Sequence, residues 1–178
     1  MRIIRGKYKG RRLNAPKGIK ARPTTDFAKE GLFNILDNKI EIIDSTVLDL
    51  FTGTGNLSFE FASRGAKSVT AIDQSSLSIK YINKQANEWE LPIKAFKNNV
   101  FKYLEKPIGT YDIIFADPPY ALEGIETIPD LVLKNNLLSE DGILIVEHGR
   151  ETNFKEHPNL IDSRTYSKVN FSFFTHQE

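Results

Sequence analysis

The sequence predicts an α/β fold in which a mostly parallel β-sheet carries helices on both faces. Five apolar runs, separated by helix-compatible stretches, recur at residues 47–51, 69–72, 93–96, 111–116 and 143–146. Strands that alternate with helices form parallel sheets through right-handed crossovers. Residues 160–167 and 169–175 break this rhythm, because almost nothing separates them and apolar and polar residues alternate in the second run. They predict an antiparallel hairpin that closes the sheet.

Length and composition exclude several classes of protein. The 178 residues are 40% hydrophobic and include 12 Phe, enough for one domain with a buried core. The chain has no Cys and three scattered His, so disulfides, a cysteine nucleophile and a metal centre are not expected. No apolar run approaches the roughly 20 residues of a membrane span, and the N-terminus lacks the apolar core of a signal peptide. We expect a cytoplasmic protein without a membrane partner.

The first 22 residues differ in charge from the rest of the chain. They contain nine Lys or Arg and no acidic residue, whereas the remainder carries the other 15 basic residues and all 23 acidic ones. A basic segment on an acidic body suggests an anionic partner, with nucleic acid as the leading candidate. We therefore expect residues 1–22 to form a basic β extension that docks RNA and residues 23–178 to form the main domain. The expected RNA-binding residues are Arg2, Arg5, Lys7, Lys9, Arg11, Arg12 and Arg22.

A helix is predicted directly after this segment. Thr24 or Thr25 can cap its N-terminus, and the negative charge of Asp26 in the first turn interacts favourably with the helix dipole. Apolar residues recur at helical spacing along it, which predicts a buried face formed by Phe27, Leu32, Ile35 and Leu36.

A glycine-containing loop follows the first predicted parallel strand. The segment 49–55 reads Asp-Leu-Phe-Thr-Gly-Thr-Gly and leads into a predicted helix near Leu57. Ligands of open α/β sheets bind at the carboxyl ends of strands, and glycines there allow close approach to the backbone. A dinucleotide fingerprint would continue to a third glycine, but Ser58 occupies that position, which disfavours NAD. The acid at Asp49 suits a cofactor that carries a cation, and S-adenosylmethionine offers an ammonium and a sulfonium.

Two further segments extend the predicted cofactor site. Asp73 ends the second strand, where a carboxylate can accept hydrogen bonds from ribose hydroxyls. Asn98 and Asn99 follow the third strand, and we favour Asn99 for reading the adenine edge.

The segment Asp117-Pro118-Pro119-Tyr120 follows the fourth apolar strand. Its two prolines end the strand and present the loop outward. An amine on a purine ring is a poor nucleophile, because its lone pair is delocalised into the ring. A carboxylate and a backbone carbonyl that accept its two N–H bonds would direct the lone pair towards a methyl donor. Tyr120 would stack on a base that has left its helix. We expect these four residues to form the catalytic loop.

With these motifs the chain resembles the class I, Rossmann-like S-adenosylmethionine-dependent methyltransferases. More narrowly, it resembles the bacterial 16S ribosomal RNA guanine-N(2) methyltransferases, because residues 2–13, 22–26 and 32–36 are similar to that family's N-terminal signature. The resemblance covers nearly the whole chain and implies a seven-stranded sheet whose last hairpin is antiparallel. Ser167 stands where a glycine is common in the family.

The resemblance also implies a cofactor, a substrate and a set of contacts. The cofactor is S-adenosylmethionine, with Gly53 and Gly55 against it, Asp73 at its ribose and residues 117–120 at the target base. Phe51, Thr54, Gln74 and Val100 flank these positions, and we expect them at the cofactor with Asp49 and Asn99. The implied substrate is a guanine 2-amino group of 16S ribosomal RNA, within a partly or fully assembled small subunit. We expect the enzyme to act as a monomer.

Four other functions compete with this interpretation. An adenine-N(6) methyltransferase acting on DNA or RNA would use the same loop, although such enzymes usually carry a separate target-recognition region. A protein-glutamine methyltransferase would use a similar loop, but such enzymes typically have Asn in place of Asp117 and a helical N-terminal domain. A non-catalytic RNA-binding module would explain the basic N-terminus but neither motif at the strand ends. A nicotinamide-dependent oxidoreductase is the fourth alternative.

Overall fold

The computed structural model describes residues 1–21 and 24–177. Its strands are β1 (Thr46–Leu50), β2 (Ser68–Asp73), β3 (Ile93–Lys97), β4 (Tyr111–Ala116), β5 (Leu138–His148), β6 (Leu160–Tyr166) and β7 (Val169–Phe174). They form one seven-stranded sheet in the order β3-β2-β1-β4-β5-β7-β6. Strands β1 to β5 pair in parallel, whereas β7 pairs antiparallel with both β5 and β6. The predicted fold class is confirmed.

Helices cover both faces of the sheet. They are α1 (Asp26–Leu36), α2 (Asn56–Ser63), α3 (Ser76–Glu88), α4 (Val100–Glu105) and α5 (Ile128–Lys134), with a 3₁₀ turn at Ile125–Thr127. One apolar core contains α1 to α3, and a second lies between the sheet and α4 and α5. Neighbouring residues of β1 pack in different cores, since Val47 belongs to the first core and Leu48 to the second. Side chains alternate across a strand, so a strand covered on both faces is apolar throughout.

Helix α1 begins as predicted, but its apolar face differs from the prediction. The Thr25 hydroxyl accepts a hydrogen bond from the Ala28 amide at 3.1 Å, which caps the helix. Leu32 and Leu36 are fully buried, whereas Phe27 is 65% exposed. Phe27 meets the edge of Tyr166, with ring centroids 5.8 Å apart. The helix leaves this position largely exposed beside the end of β6, so the prediction that Phe27 belongs to the buried face was wrong.

The N-terminal segment packs onto the domain with little β-structure. Its expected β character is limited, within the described residues 1–21, to one antiparallel bridge between Arg2 and Arg12, because bends and turns occupy residues 5–10 between them. Ile3, Tyr8 and Leu13 are buried in the first core. Tyr8 stacks on Trp89, with ring centroids 5.6 Å apart and planes inclined by 8°. The apolar residues between the basic ones therefore anchor this segment to the main domain.

A buried charge network fixes the start of the segment. The Glu60 carboxylate on α2 accepts hydrogen bonds from the backbone amides of Ile4 and Arg5 at 2.9 and 3.0 Å. Lys29 on α1 lies 3.2 Å from the same carboxylate, and both side chains are fully buried. The Lys29 ammonium also donates to the Arg2 carbonyl at 2.7 Å. Helices α1 and α2 thus hold the N-terminal backbone through one ion pair.

The carboxyl-terminal hairpin is tight. Tyr166 pairs with Val169, so Ser167 and Lys168 alone form the turn. Ser167 has φ of 59°, a left-handed backbone conformation that glycine adopts with the least steric strain. None of the helices within residues 1–21 and 24–177 is long and apolar enough to span a lipid bilayer.

Candidate active site

One cleft lies at the carboxyl ends of the central strands β1, β2 and β4, with a cavity volume of about 380 Å³. It brings together two motifs that are more than sixty residues apart in sequence. The predicted site residues that line it are Asp49, Phe51, Gly53, Thr54, Asp73, Gln74, Val100, Asp117, Pro118, Pro119 and Tyr120. Parallel strands place their carboxyl ends at one edge of a sheet, which is why these segments meet.

Asp49 is a buried carboxylate at the base of this cleft. Its side chain is 2% exposed, and its Oδ2 accepts hydrogen bonds from the hydroxyls of Thr52 and Ser58 at 2.7 and 2.5 Å. Burial raises the pKa of Asp49 to about 6, although the bonds from Ser58 and Thr52 lower it. Desolvation disfavours the charged carboxylate, and a cation in the cleft would restore it.

Asp73 is held by backbone amides at the end of β2. Its Oδ2 accepts from the Gly53 amide at 2.9 Å, and its Oδ1 accepts from the Ser75 amide at 2.8 Å. An ionised carboxylate has about four lone-pair sites, so both oxygens retain capacity for ligand hydroxyls. The carboxylate therefore has a fixed position at the cleft wall.

The loop between β1 and α2 uses unusual backbone conformations. Phe51 has φ of 61°, and Gly53 and Gly55 have φ of 55° and 77°. A Cβ atom added at Gly53 would lie 2.8 Å from the Cβ of Ala21, so the N-terminal segment passes directly over this loop. Residues held in the left-handed region are enriched at ligand sites.

The second motif forms the opposite part of the cleft. The Asp117 amide donates to the Leu50 carbonyl at 3.3 Å, which ties the start of the loop to β1. The Tyr120 hydroxyl donates to Oε1 of Glu147 at 3.1 Å. Asp117 is partly exposed and Pro118 is buried, so the loop presents its carboxylate at the cleft while its second residue supports it.

Comparison with known proteins assigns the family. A family model described as Conserved hypothetical protein 95 matches residues 1–175. The chain belongs to the conserved hypothetical protein 95 family. A relative named Ribosomal RNA small subunit methyltransferase D from Buchnera aphidicola is 34% identical over 154 residues, covering 86% of this chain and 78% of the relative. The Escherichia coli protein of the same name is 32% identical over 148 residues, covering 83% and 74%.

Solved structures agree with this assignment. A candidate methyltransferase of Escherichia coli superposes with a TM-score of 0.86 at 28% identity, covering 98% of this chain and 96% of the other. A candidate methylase of Haemophilus influenzae gives a TM-score of 0.80 at 28% identity, covering 99% and 98%. The resemblance and the Rossmann-like methyltransferase fold predicted from the sequence are confirmed.

Two predicted cofactor residues of this family member lie outside the cleft lining. Gly55 caps α2, and a Cβ atom added there would lie 2.9 Å from side-chain atoms of Ile82 and Phe59. Its position thus serves the packing of α2 against α3. The Asn99 side chain accepts from the Lys102 amide at 3.1 Å and caps α4. Their role at a cofactor stays a prediction.

Sequence reasoning also missed part of the cleft lining. The additional residues are Lys20, Ala21, Thr24, Thr52, Asn56, Leu57, Phe115 and Leu122. Three of them, Lys20, Ala21 and Thr24, lie in the N-terminal segment or just before α1, and their approach to the cleft depends on tertiary packing. Within residues 1–21 and 24–177, no His, Asp or Glu residues cluster in a way that could hold a metal ion.

The predicted RNA-binding residues are all exposed where the structure describes them. Arg2 and Arg5 form ion pairs with Asp26 and Asp37 at 2.8 and 3.0 Å. The Arg11 guanidinium lies over the rings of Tyr8 and Trp89, 4.9 and 5.2 Å from their centroids. Lys7, Lys9 and Arg12 complete the set, and Arg22 lies outside the described residues.

Proposed function

We propose that this protein transfers a methyl group from S-adenosylmethionine to the exocyclic 2-amino group of a guanine in 16S ribosomal RNA. One observation carries the proposal: a single cleft is lined by the acidic pair Asp49 and Asp73 and by the loop Asp117-Pro118-Pro119-Tyr120. The acidic pair suits a nucleoside that carries a cation, and the loop suits a planar exocyclic amine. The relatives named Ribosomal RNA small subunit methyltransferase D support ribosomal RNA as the substrate.

The residues of the cleft fit S-adenosylmethionine. Asp49 offers a carboxylate whose burial penalty a cation would offset. Asp73 offers two oxygens already fixed by the Gly53 and Ser75 amides, suited to the two hydroxyls of a ribose. When bound, the cofactor supplies an electrophilic methyl group on a sulfonium.

The chain's own residues would prepare the amine. The Asp117 carboxylate accepts one N–H bond of the 2-amino group, and a backbone carbonyl of the loop accepts the other. Both contacts favour the pyramidal nitrogen, whose lone pair is then free to attack. The amine becomes acidic once methylated, so its proton can pass to Asp117 or to water. Tyr120 stacks on the base, which must leave its helix to enter the cleft.

The N-terminal segment would dock the RNA backbone. Its exposed basic side chains can contact phosphates, while Ile3, Tyr8 and Leu13 anchor it to the core. Ala21 and Lys20 bring the same segment to the cleft, so docking and catalysis are adjacent. We propose a monomer that acts on a partly or fully assembled small subunit.

The test is methyl transfer to small subunits from a strain that lacks the gene. Purified protein and labelled S-adenosylmethionine are added, and the RNA is digested to nucleosides and analysed by mass spectrometry. N2-methylguanosine in 16S RNA is the expected product. N6-methyladenosine would favour the adenine-N(6) alternative, and no methylated nucleoside at all would overturn the proposal. A parallel reaction with naked RNA shows whether free RNA or the assembled subunit is the substrate.

A further inference from the structure

The position of Tyr120 depends on two residues at the end of β5 that neither the motifs nor the relatives point to. The Tyr120 hydroxyl donates to Oε1 of Glu147, whose side chain is 2% exposed. The Tyr120 ring lies against Gly149, where an added Cβ atom would be 2.8 Å from Cδ2 and 3.3 Å from Cγ. One contact fixes the tip of the side chain, and the other limits the position of its ring on the Cδ2 side.

Gly149 is needed for space and not for its backbone conformation. Its φ lies outside the left-handed region that favours glycine, so the backbone would accept alanine. The three atoms nearest to the added Cβ atom, at 2.8 to 3.4 Å, all belong to the Tyr120 ring. A single methyl group at this position would therefore displace Tyr120.

The end of β5 is itself firmly held. Glu147 and His148 pair with Phe171 and Asn170 of β7. The His148 ring bridges its neighbours, with Nδ1 2.9 Å from the Gly149 carbonyl oxygen and Nε2 2.8 Å from the Ser172 hydroxyl. Burial lowers the pKa of His148, so the ring is neutral at pH 7, donating through Nδ1 and accepting through Nε2. Glu147 and Gly149 are thus fixed relative to the sheet.

We infer that Glu147 and Gly149 are positioning residues that hold Tyr120 at the cleft and so determine where the flipped guanine stacks. This inference rests on the proposed function, because Tyr120 matters only if a base stacks on it. Neither residue lines the cleft among the described residues, so both act through Tyr120. Misplacing a reacting group by about 1 Å can reduce a rate by roughly 100-fold.

The test is a set of single-turnover methylation measurements on the full chain with small subunits. Gly149→Ala and Glu147→Leu should each lower the rate constant by about 10-fold or more, while the dissociation constant of S-adenosylmethionine stays unchanged. Glu147→Gln keeps an oxygen that accepts the Tyr120 hydroxyl and should restore most of the rate. Glu126→Leu, at an exposed glutamate, is the matched control and should have the wild-type rate.

Double variants separate positioning from general damage to the fold. In a Tyr120→Ala background, Gly149→Ala should cause no further decrease in rate, because the displaced ring is absent. In a Tyr120→Phe background, Glu147→Leu should likewise leave the rate unchanged, because the hydroxyl that Glu147 accepts from is absent. Decreases that simply multiply in these backgrounds, or wild-type rates for both single variants, would overturn the inference. If the wild-type protein methylates no RNA, the proposed function fails, and the same double-variant cycle measured by urea unfolding decides whether these residues hold Tyr120.

Discussion

The ionisation of Asp49 should control the affinity for S-adenosylmethionine. Its pKa in the free protein is raised to about 6, mainly by burial. A bound ammonium favours the ionised carboxylate, so binding below pH 6 must release a proton from Asp49. At pH 5 about one chain in ten has Asp49 ionised, so the dissociation constant should be about 10-fold higher than at pH 7, or about 1.4 kcal/mol. The α-amino group of the cofactor, with a pKa near 8, stays protonated over this range.

Titration calorimetry at pH 5, 6 and 7 measures this effect. Repeating the pH 5 titration in buffers of different ionisation enthalpy counts the released protons, and the expected number is about 0.9 per cofactor bound. Asp49→Asn should bind more weakly at pH 7 and lose the pH dependence. A wild-type dissociation constant that does not change between pH 5 and 7 would refute the assignment of Asp49 as the partner of the cation.

Two further predictions concern the N-terminal segment. Lys29→Met removes one partner of the buried Glu60 carboxylate, which keeps Arg64 at 2.8 Å, and should cost roughly 1.5–3 kcal/mol in the free energy of unfolding by urea. Lys84→Met, at an exposed ion pair, should cost at most about 1 kcal/mol, and equal costs would contradict the buried network. Replacing Lys7, Lys9 and Arg12 with Gln should make RNA binding less salt-dependent, by about 0.7–0.9 in log–log slope for each RNA phosphate that the protein no longer neutralises. An unchanged slope would show that these charges do not meet RNA phosphates.

Substitution of Lys7, Lys9 and Arg12 tests the charge of the basic segment better than deletion of the segment would. Removing residues 1–20 would also remove Ile3, Tyr8 and Leu13 from the first core and the amides that Glu60 holds. A truncated protein would therefore lose stability together with charge. Side-chain changes at exposed positions affect only the charge.

The meeting of Asp49, Asp73 and Asp117 at one cleft could be predicted from the sequence, because it depends on local patterns. Each of these carboxylates is tied to an apolar strand, since Asp49 lies in β1, Asp73 ends β2 and Asp117 follows β4. Parallel strands bring such positions to one edge of the sheet. The hairpin of β6 and β7 was predicted for the same kind of reason, from two alternating runs with almost no residues between them.

The remaining features depend on contacts between distant residues. Tyr8 stacks on Trp89 and Lys29 pairs with Glu60, and no local pattern indicates either partner. The same holds for Glu147, because the sequence indicates only that it lies in a strand and does not indicate its contact with Tyr120. Gly55 also packs close to Ile82 and Phe59, a contact that its place in the glycine loop does not indicate.

We propose that one cleft holds the cofactor and the target amine, with Asp117 directing the amine. The rate of the chemical step without the Asp117 carboxylate tests this arrangement. Single-turnover methylation of small subunits at saturating S-adenosylmethionine should be slower by ~100-fold or more for Asp117→Ala, with cofactor affinity unchanged. A wild-type rate for Asp117→Ala would remove this residue from the mechanism and contradict the account of the cleft.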